Sequence, residues 1–276
     1  MTIHSDWGDW LPRAVAGATP EGLRLWYLGC NGFVLKASDG TTAFIDPYLN
    51  TGDPPRTIRM IPVPFDPRDV QEADAILATH EHSDHVDAPS QAPILAETGA
   101  TFYGPNASVV AAREQGFSES YDVSDDQIET VEADETFELG ELTVHVHAAN
   151  DPNAAHPVAY VFEHEAGTFV HGGDARPGEF AAIGEAYDVD LAALAFGSTG
   201  MIPDKETREP ERTTWYSDEN MIVEAANELQ VDRLVPTHWD MWKGMGADPT
   251  VLHRHANSFD HPRVIDVVEI GDSVDL

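Results

Sequence analysis

The segment Ala73-Asp74-Ala75-Ile76-Leu77-Ala78 runs directly into Thr79-His80-Glu81-His82-Ser83-Asp84-His85. Its first half is a short apolar run suited to a buried strand, and its second half is a turn carrying three imidazoles and the Asp84 carboxylate. Each imidazole has a nitrogen that must be hydrogen-bonded, protonated or bound to metal, so three in one turn cannot all serve an apolar core. Neutral imidazole is the commonest metal ligand, and carboxylate is its usual companion. The cluster therefore reads as a metal site where a strand ends, a place where loops carry chemistry. The alternative is a polar surface turn that happens to be rich in His.

Working outward, segments 23–28, 32–37 and 42–46 read as strands separated by Gly29-Cys30-Asn31-Gly32 and Ser38-Asp39-Gly40. Segments 89–97 and 105–115 read as helices, each with Pro near its first turn and Gly just past its end. Segments 142–148, 157–163, 168–171 and 190–196 return to strand character. Ser217 is the expected cap of a helix through Met221, Ile222, Ala225, Ala226 and Leu229, and a strand over 233–236 then delivers Thr237-His238-Trp239-Asp240. Strand clusters alternating with helices imply a layered α/β domain with helices outside two sheets. Residues 1–276 are read as one domain with 1–22 as an N-terminal extension, without repeats or low-complexity tracts.

The chain has 276 residues, of which 49 are acidic and 15 basic, for a net charge of −34; Lys36, Lys205 and Lys243 are its lysines. The acid is spread among apolar periodic segments rather than gathered in a tail, so the chain folds, and the self-repulsion points to adaptation to high salt. The absence of a basic stripe argues against nucleic acid. Cys30 is the single cysteine, which excludes an intramolecular disulfide and, on this reading, a cysteine-based metal site. No basic-then-apolar leader and no run near 18 apolar residues is present, so a cytoplasmic protein without membrane contact is expected.

The order matters next: His-x-His-x-Asp-His at one strand end, His171-Gly172-Gly173-Asp174 after another strand, Pro236-Thr237-His238 after a third. Together with Trp26-Tyr27-Leu28-Gly29, Gly32-Phe33-Val34-Leu35-Lys36, Ile45-Asp46-Pro47-Tyr48 and His238-Trp239-Asp240-Met241-Trp242, this resembles the metallo-β-lactamase superfamily, and within it the L-ascorbate-6-phosphate lactonase branch. The resemblance implies a four-layer αββα sandwich with two divalent metal ions, Mn²⁺ or Zn²⁺, at the sheet edge. It implies that His80 and His82 bind the first ion, Asp84 and His85 the second, that Asp174 bridges and that His238 completes the second site. Most members place a His after the strand corresponding to 142–148, whereas this chain has Ala149-Asn150-Asp151; Asp151 is the preferred substitute and His156 the second choice. His145 and His147 are expected to be hydrogen-bonded strand residues, and His171 to support the site without ligating.

The expected reaction is hydrolysis by a metal-bridging hydroxide oriented by Asp84, with Asp84 and Asp174 as catalytic residues and a small anionic, sugar-phosphate-type lactone as substrate. Arg176, Lys243, Asp240 and Trp239 are the expected substrate contacts, with Lys205, Arg208 and Arg212 as further candidate anion anchors. Trp7, Trp10, Trp215 and Tyr216 could line the substrate mouth or form subunit contacts of a homo-oligomer. The same metal pair would also serve a phosphodiesterase or nuclease, and a non-catalytic binding protein that keeps the fold is the alternative from a different class.

Overall fold

Residues 32–36 show how the layers are made: Val34 packs outward among helices, while Phe33 and Leu35 face inward. This is the period-2 alternation of a strand buried on both faces. The computed structural model describes residues 3–203 and 207–276. Its strands are β1 (Arg24–Gly29), β2 (Gly32–Lys36), β3 (Thr42–Ile45), β4 (Ala75–Leu77), β5 (Thr101–Gly104), β6 (Ile128–Thr130), β7 (Thr136–Leu139) and β8 (Leu142–Ala148). The chain continues with β9 (Val158–His164), β10 (Gly167–His171), β11 (Leu191–Ala195), β12 (Thr199–Pro203), β13 (Pro210–Thr214), β14 (Arg233–Thr237), β15 (Val264–Ile265) and β16 (Ser273–Asp275).

One sheet runs β16-β1-β2-β3-β4-β5-β6 and the other β15-β14-β11-β10-β9-β8-β7, while β12 and β13 form a separate ribbon. Each sheet is antiparallel over one part and parallel over the other, with β3-β4-β5-β6 and β10-β11-β14-β15 parallel. Leu25, Phe33, Leu35, Ile45 and Leu77 meet Val144, Tyr160, Phe162, Phe169 and Leu191 between the sheets. Each such fully buried large side chain contributes about 1.5–3 kcal/mol.

Helices cover both outer faces. Helices α1 (Trp10–Ala16), α2 (Ala88–Thr98), α3 (Asn106–Glu114) and α4 (Phe117–Tyr121) pack Leu11, Val15, Leu95, Val109 and Phe117 against the first sheet. Helices α5 (Phe180–Ala186), α6 (Glu219–Glu228) and α7 (Leu252–Ala256) pack Phe180, Ile183, Ile222 and Leu252 against the second. The four layers are helix, sheet, sheet, helix, as expected. The stretch read as an N-terminal extension contains α1, which belongs to the outer layer. The cap of α6 is Asp218 and not Ser217: the Asp218 carboxylate accepts the Asn220 and Met221 N–H groups. A carboxylate there also faces the positive end of the helix dipole. No helix among the described residues is long and apolar enough to cross a membrane.

Candidate metal centre

The ends of β3, β4, β8, β10 and β14 and the turn from β1 to β2 bring their side chains to one end of the sandwich. Two backbone bonds, from the His85 and Val86 N–H groups to the His82 carbonyl, close the turn after β4. Gly173, at φ +58°, lets the turn after β10 pass so close to Thr79 that an added Cβ would lie 2.8 Å from its hydroxyl. Asp174 is thereby carried into the cluster.

In a first pocket, His80, His82, Asp151 and Asp174 each offer a ligand atom, all within 4.8 Å of one another. His80 Nε2 stands 2.8 Å from His82 Nδ1, 3.8 Å from Asp174 Oδ2 and 3.9 Å from Asp151 Oδ2. Hydrogen-bond partners assign the tautomers. The Thr79 hydroxyl donates to Asp46 at 2.7 Å and therefore accepts from His80 Nδ1 at 3.0 Å, which leaves His80 Nε2 a lone pair. His82 Nε2 faces the Asn153 carbonyl at 3.1 Å and must donate, which leaves His82 Nδ1 a lone pair too. Two lone pairs facing each other repel unless a cation stands between them.

The second pocket offers donors of the same kind. His85 Nδ1 donates to Asp46 Oδ2 at 2.8 Å, which turns its Nε2 toward the pocket, and that atom is buried without a hydrogen-bond partner. It lies 3.4 Å from Asp174 Oδ1. His238 Nε2 is 3.4 Å from Asp84 Oδ2 and 3.5 Å from Asp174 Oδ1. Asp174 thus turns Oδ2 toward the first pocket and Oδ1 toward the second, held by an Asn31 amide that donates to Oδ1 at 3.2 Å. The donor set, imidazole lone pairs and carboxylates, fits two divalent ions.

Burial, with the nearby His85, holds the His80 imidazole down at about 3, a neutral donor at neutral pH. Burial alone would raise Asp84 and Asp174, but the imidazoles of His238 and His85 hold both well below the usual carboxylate range. Burial would likewise lower His85, yet the Asp46 and Asp174 charges outweigh it and push the group well up.

The structure therefore brings together His80, His82, Asp84, His85, Asp151, Asp174 and His238, whereas His156 is exposed. His171 is buried and bonds outside the pockets, donating from Nε2 to the Asn31 carbonyl at 2.8 Å. His145 contacts Thr136 and Glu163, and His147 contacts Tyr187. Among the expected substrate contacts, Asp240 accepts from the Tyr27 hydroxyl and the Cys30 N–H, and the Trp239 indole donates to the Pro236 carbonyl. Arg176 reaches the Thr214 carbonyl on β13 at 3.3 Å, and Lys243 is exposed just past Trp242. Arg208 and Arg212 are exposed, and Lys205 lies outside the described residues. Tyr216 stacks on the His238 ring with centroids 3.7 Å apart, whereas Trp7 and Trp10 pack on each other near Gly271.

Some functional neighbours escaped the sequence reading. Asp46 orients His85 and, through Thr79, His80; its only local signal is an acid at a strand end before Pro47. The Trp242 indole donates to Asp84 at 3.2 Å. The single cysteine, Cys30, is buried with its Sγ 3.5 and 3.4 Å from the two ring nitrogens of His238.

An αββα sandwich with adjoining imidazole–carboxylate pockets at one end defines the metallo-β-lactamase class of fold. Residues 41–239 match the family described as a β-lactamase superfamily domain, and the chain belongs to that family. By that membership it is a metal-dependent hydrolase. A sequence relative named as a probable L-ascorbate-6-phosphate lactonase, UlaG of Escherichia fergusonii, is 26% identical over 290 aligned positions, covering 90% of this chain and 79% of that protein. Igni18, a metallo hydrolase from Ignicoccus hospitalis, is similar with a TM-score of 0.65 at 20% identity, over 92% of this chain and 98% of that one. CmlA, a diiron β-hydroxylase from Streptomyces venezuelae, is similar with a TM-score of 0.66 at 17% identity, over 94% of this chain and 55% of that one. The fold thus hosts more than one chemistry, and the reaction must be argued from the site.

Proposed function

We propose that this chain is a two-metal hydrolase acting on a small anionic lactone of the sugar-phosphate type. His80, His82, Asp151 and Asp174 would hold one ion, and Asp84, His85, His238 and Asp174 the other. The observation that carries the reading is the single Asp174 carboxylate with one oxygen in each pocket. When bound, two such ions polarise the scissile carbonyl and lower the pKa of water toward neutrality. The chain's own residues position and move the proton. Asp84, kept ionised and oriented by the Trp242 indole, accepts a proton from the attacking water as its oxygen bonds the carbonyl carbon. The ring C–O bond then breaks, and that proton passes to the departing alkoxide.

Arg176 and Lys243 are proposed anchors for the substrate's anionic group, because they follow Asp174 and Trp242 closely in a chain with few cations. The lactonase relative supports this substrate class. The whole of 1–276 is proposed to act as one unit, since β16 pairs with β1 and joins the two ends of the chain. The test is a panel of phosphorylated lactones, neutral lactones and phosphodiesters, assayed in high salt after chelation and metal add-back. Turnover of phosphorylated lactones at least about tenfold above neutral ones supports the reading; turnover confined to phosphodiesters replaces it, and no turnover of any kind favours a binding protein.

Asp151 stands where most members have a His, and an additional oxygen donor suits a harder ion, so Mn²⁺ is the proposed occupant of the first position and Zn²⁺ the competitor. Asp151→His is expected to shift the activity preference from Mn²⁺ toward Zn²⁺ by about tenfold, and His156→Ala to change little. Metal content emptied by His156→Ala but kept in Asp151→Ala would reverse the ligand assignment.

A further inference from the structure

We propose that Glu81 is a positioning residue for the first metal position: it clamps the loop between β8 and β9, and with it the Asp151 carboxylate, against the turn after β4. This deepens the two-metal reading and rests on it. Glu81 stands in sequence between His80 and His82, and in a chain with 49 acidic residues it looks like one more surface acid. Its contacts say otherwise. Oε1 accepts the Ala155 N–H at 2.9 Å, a bond between residues 74 apart in the chain, while Oε2 is buried without a hydrogen-bond partner. A carboxylate oxygen kept from water without a bond costs free energy, so a merely solubilising role does not account for the placement.

The loop needs a clamp because Asp151 reaches the pocket from a hairpin connection and not from a strand. The base of that connection is closed by the Ala149 N–H on the Pro157 carbonyl and the Val158 N–H on the Thr79 carbonyl, each at 3.0 Å. Further along, the Asn150 carbonyl accepts from the Arg176 N–H at 2.8 Å, and the Asn153 carbonyl accepts from His82 Nε2 at 3.1 Å. Within the loop the Asn153 N–H donates to Asp151 Oδ1 at 2.9 Å, which leaves Oδ2 for the pocket, 3.9 Å from His80 Nε2. The Glu81 bond falls between these anchors, beside His156, whose φ of +55° a side-chain-bearing residue keeps only when its surroundings impose it. A loop released from Glu81 takes Asp151 and the Asn153 carbonyl with it. The first position then loses one ligand and the orientation of another, His82, while Asp84, His85 and His238 of the second position are untouched.

The test is titration of the metal-free full chain with manganese(II) in molar potassium chloride, read by electron paramagnetic resonance and by bound-metal analysis. Two equivalents should bind to the wild type. Glu81→Gln keeps an acceptor of the same reach but no charge, and Glu81→Asp keeps the charge but is one methylene too short to meet Ala155. In Glu81→Gln both equivalents should stay within about threefold of wild type, whereas in Glu81→Asp one should weaken at least about tenfold while the other is kept. Glu81→Ala, which has no acceptor, should repeat the Asp result, with far-ultraviolet circular dichroism unchanged in all three. Wild-type affinity at both positions in Glu81→Asp and Glu81→Ala, or a loss in Glu81→Gln as large as in Glu81→Asp, overturns the role of Glu81 and leaves the two-metal reading standing. Fewer than two equivalents in the wild type overturns both.

Discussion

Asp174→Asn is expected to lose both metal equivalents and on the order of 10³-fold or more in kcat/KM, with far-ultraviolet circular dichroism in high salt unchanged. The amide keeps the shape of the carboxylate and a possible bond to Asn31, so packing is disturbed little. What it removes is the charge shared between the pockets, one oxygen toward His80 and the other toward His85 and His238. His82→Ala should behave differently. Its Nδ1 belongs to the first pocket alone, so one equivalent should go and one remain, although hydrolysis should still be abolished if both ions act on the same carbonyl. An Asp174→Asn variant that kept both ions and full turnover would sink the bridging assignment. Equal loss of both ions in His82→Ala would show that the pockets are not separately built.

The ligands differ in how legible they were in the sequence, and the difference is physical. His80, His82, Asp84 and His85 share one turn, so chain spacing already carries their geometry. Asp174 and His238 were legible only as polar residues at strand ends, given meaning by their order, because the sheet that joins them is assembled from distant segments. Asp46 escaped for the opposite reason. It acts through partners in the turn after β4, Thr79 and His85. The main strands and helices lie within a residue or two of their expected bounds because their apolar patterns run over many residues. The sequence reading lacked β5, β6, β7, β12, β13, β15 and β16 and the helices α1, α4, α5 and α7, because segments of two to seven residues hold too little of a period to recognise. Ser217 was mistaken for the α6 cap because adjacent Ser and Asp are equally good caps in isolation, and only the backbone geometry selects Asp218.

The melting temperature is expected to rise by about 10 °C or more between 0.1 M and 2 M potassium chloride, equivalent to roughly 3–4 kcal/mol for a chain of this size. The cause is the −34 net charge and where it sits. Among the described residues the acids counted as buried are Asp46, Asp87, Asp151 and Asp174, so nearly all the remaining carboxylates face solvent at least in part. Arg13, Arg24, Arg56, Arg68, Arg233 and Arg263 each already stand beside an acid, which leaves few cations to neutralise the rest. Unscreened, the surplus repels itself across the surface. At about 0.1 M salt the screening length is about 10 Å, longer than the gap between neighbouring carboxylates, and near 1 M it falls to about 3 Å, which quenches all but direct contacts. Sucrose separates this from a general solvent-exclusion effect, because it strengthens burial without screening charge. If sucrose reproduces the whole shift, or if potassium chloride leaves the melting temperature unmoved, the stabilisation does not come from charge. A variant with several exposed acids of the first sheet's helices changed to lysine, such as Glu97→Lys with Glu114→Lys and Glu119→Lys, should need less salt to reach the same melting temperature, since each exchange removes two units of the surplus.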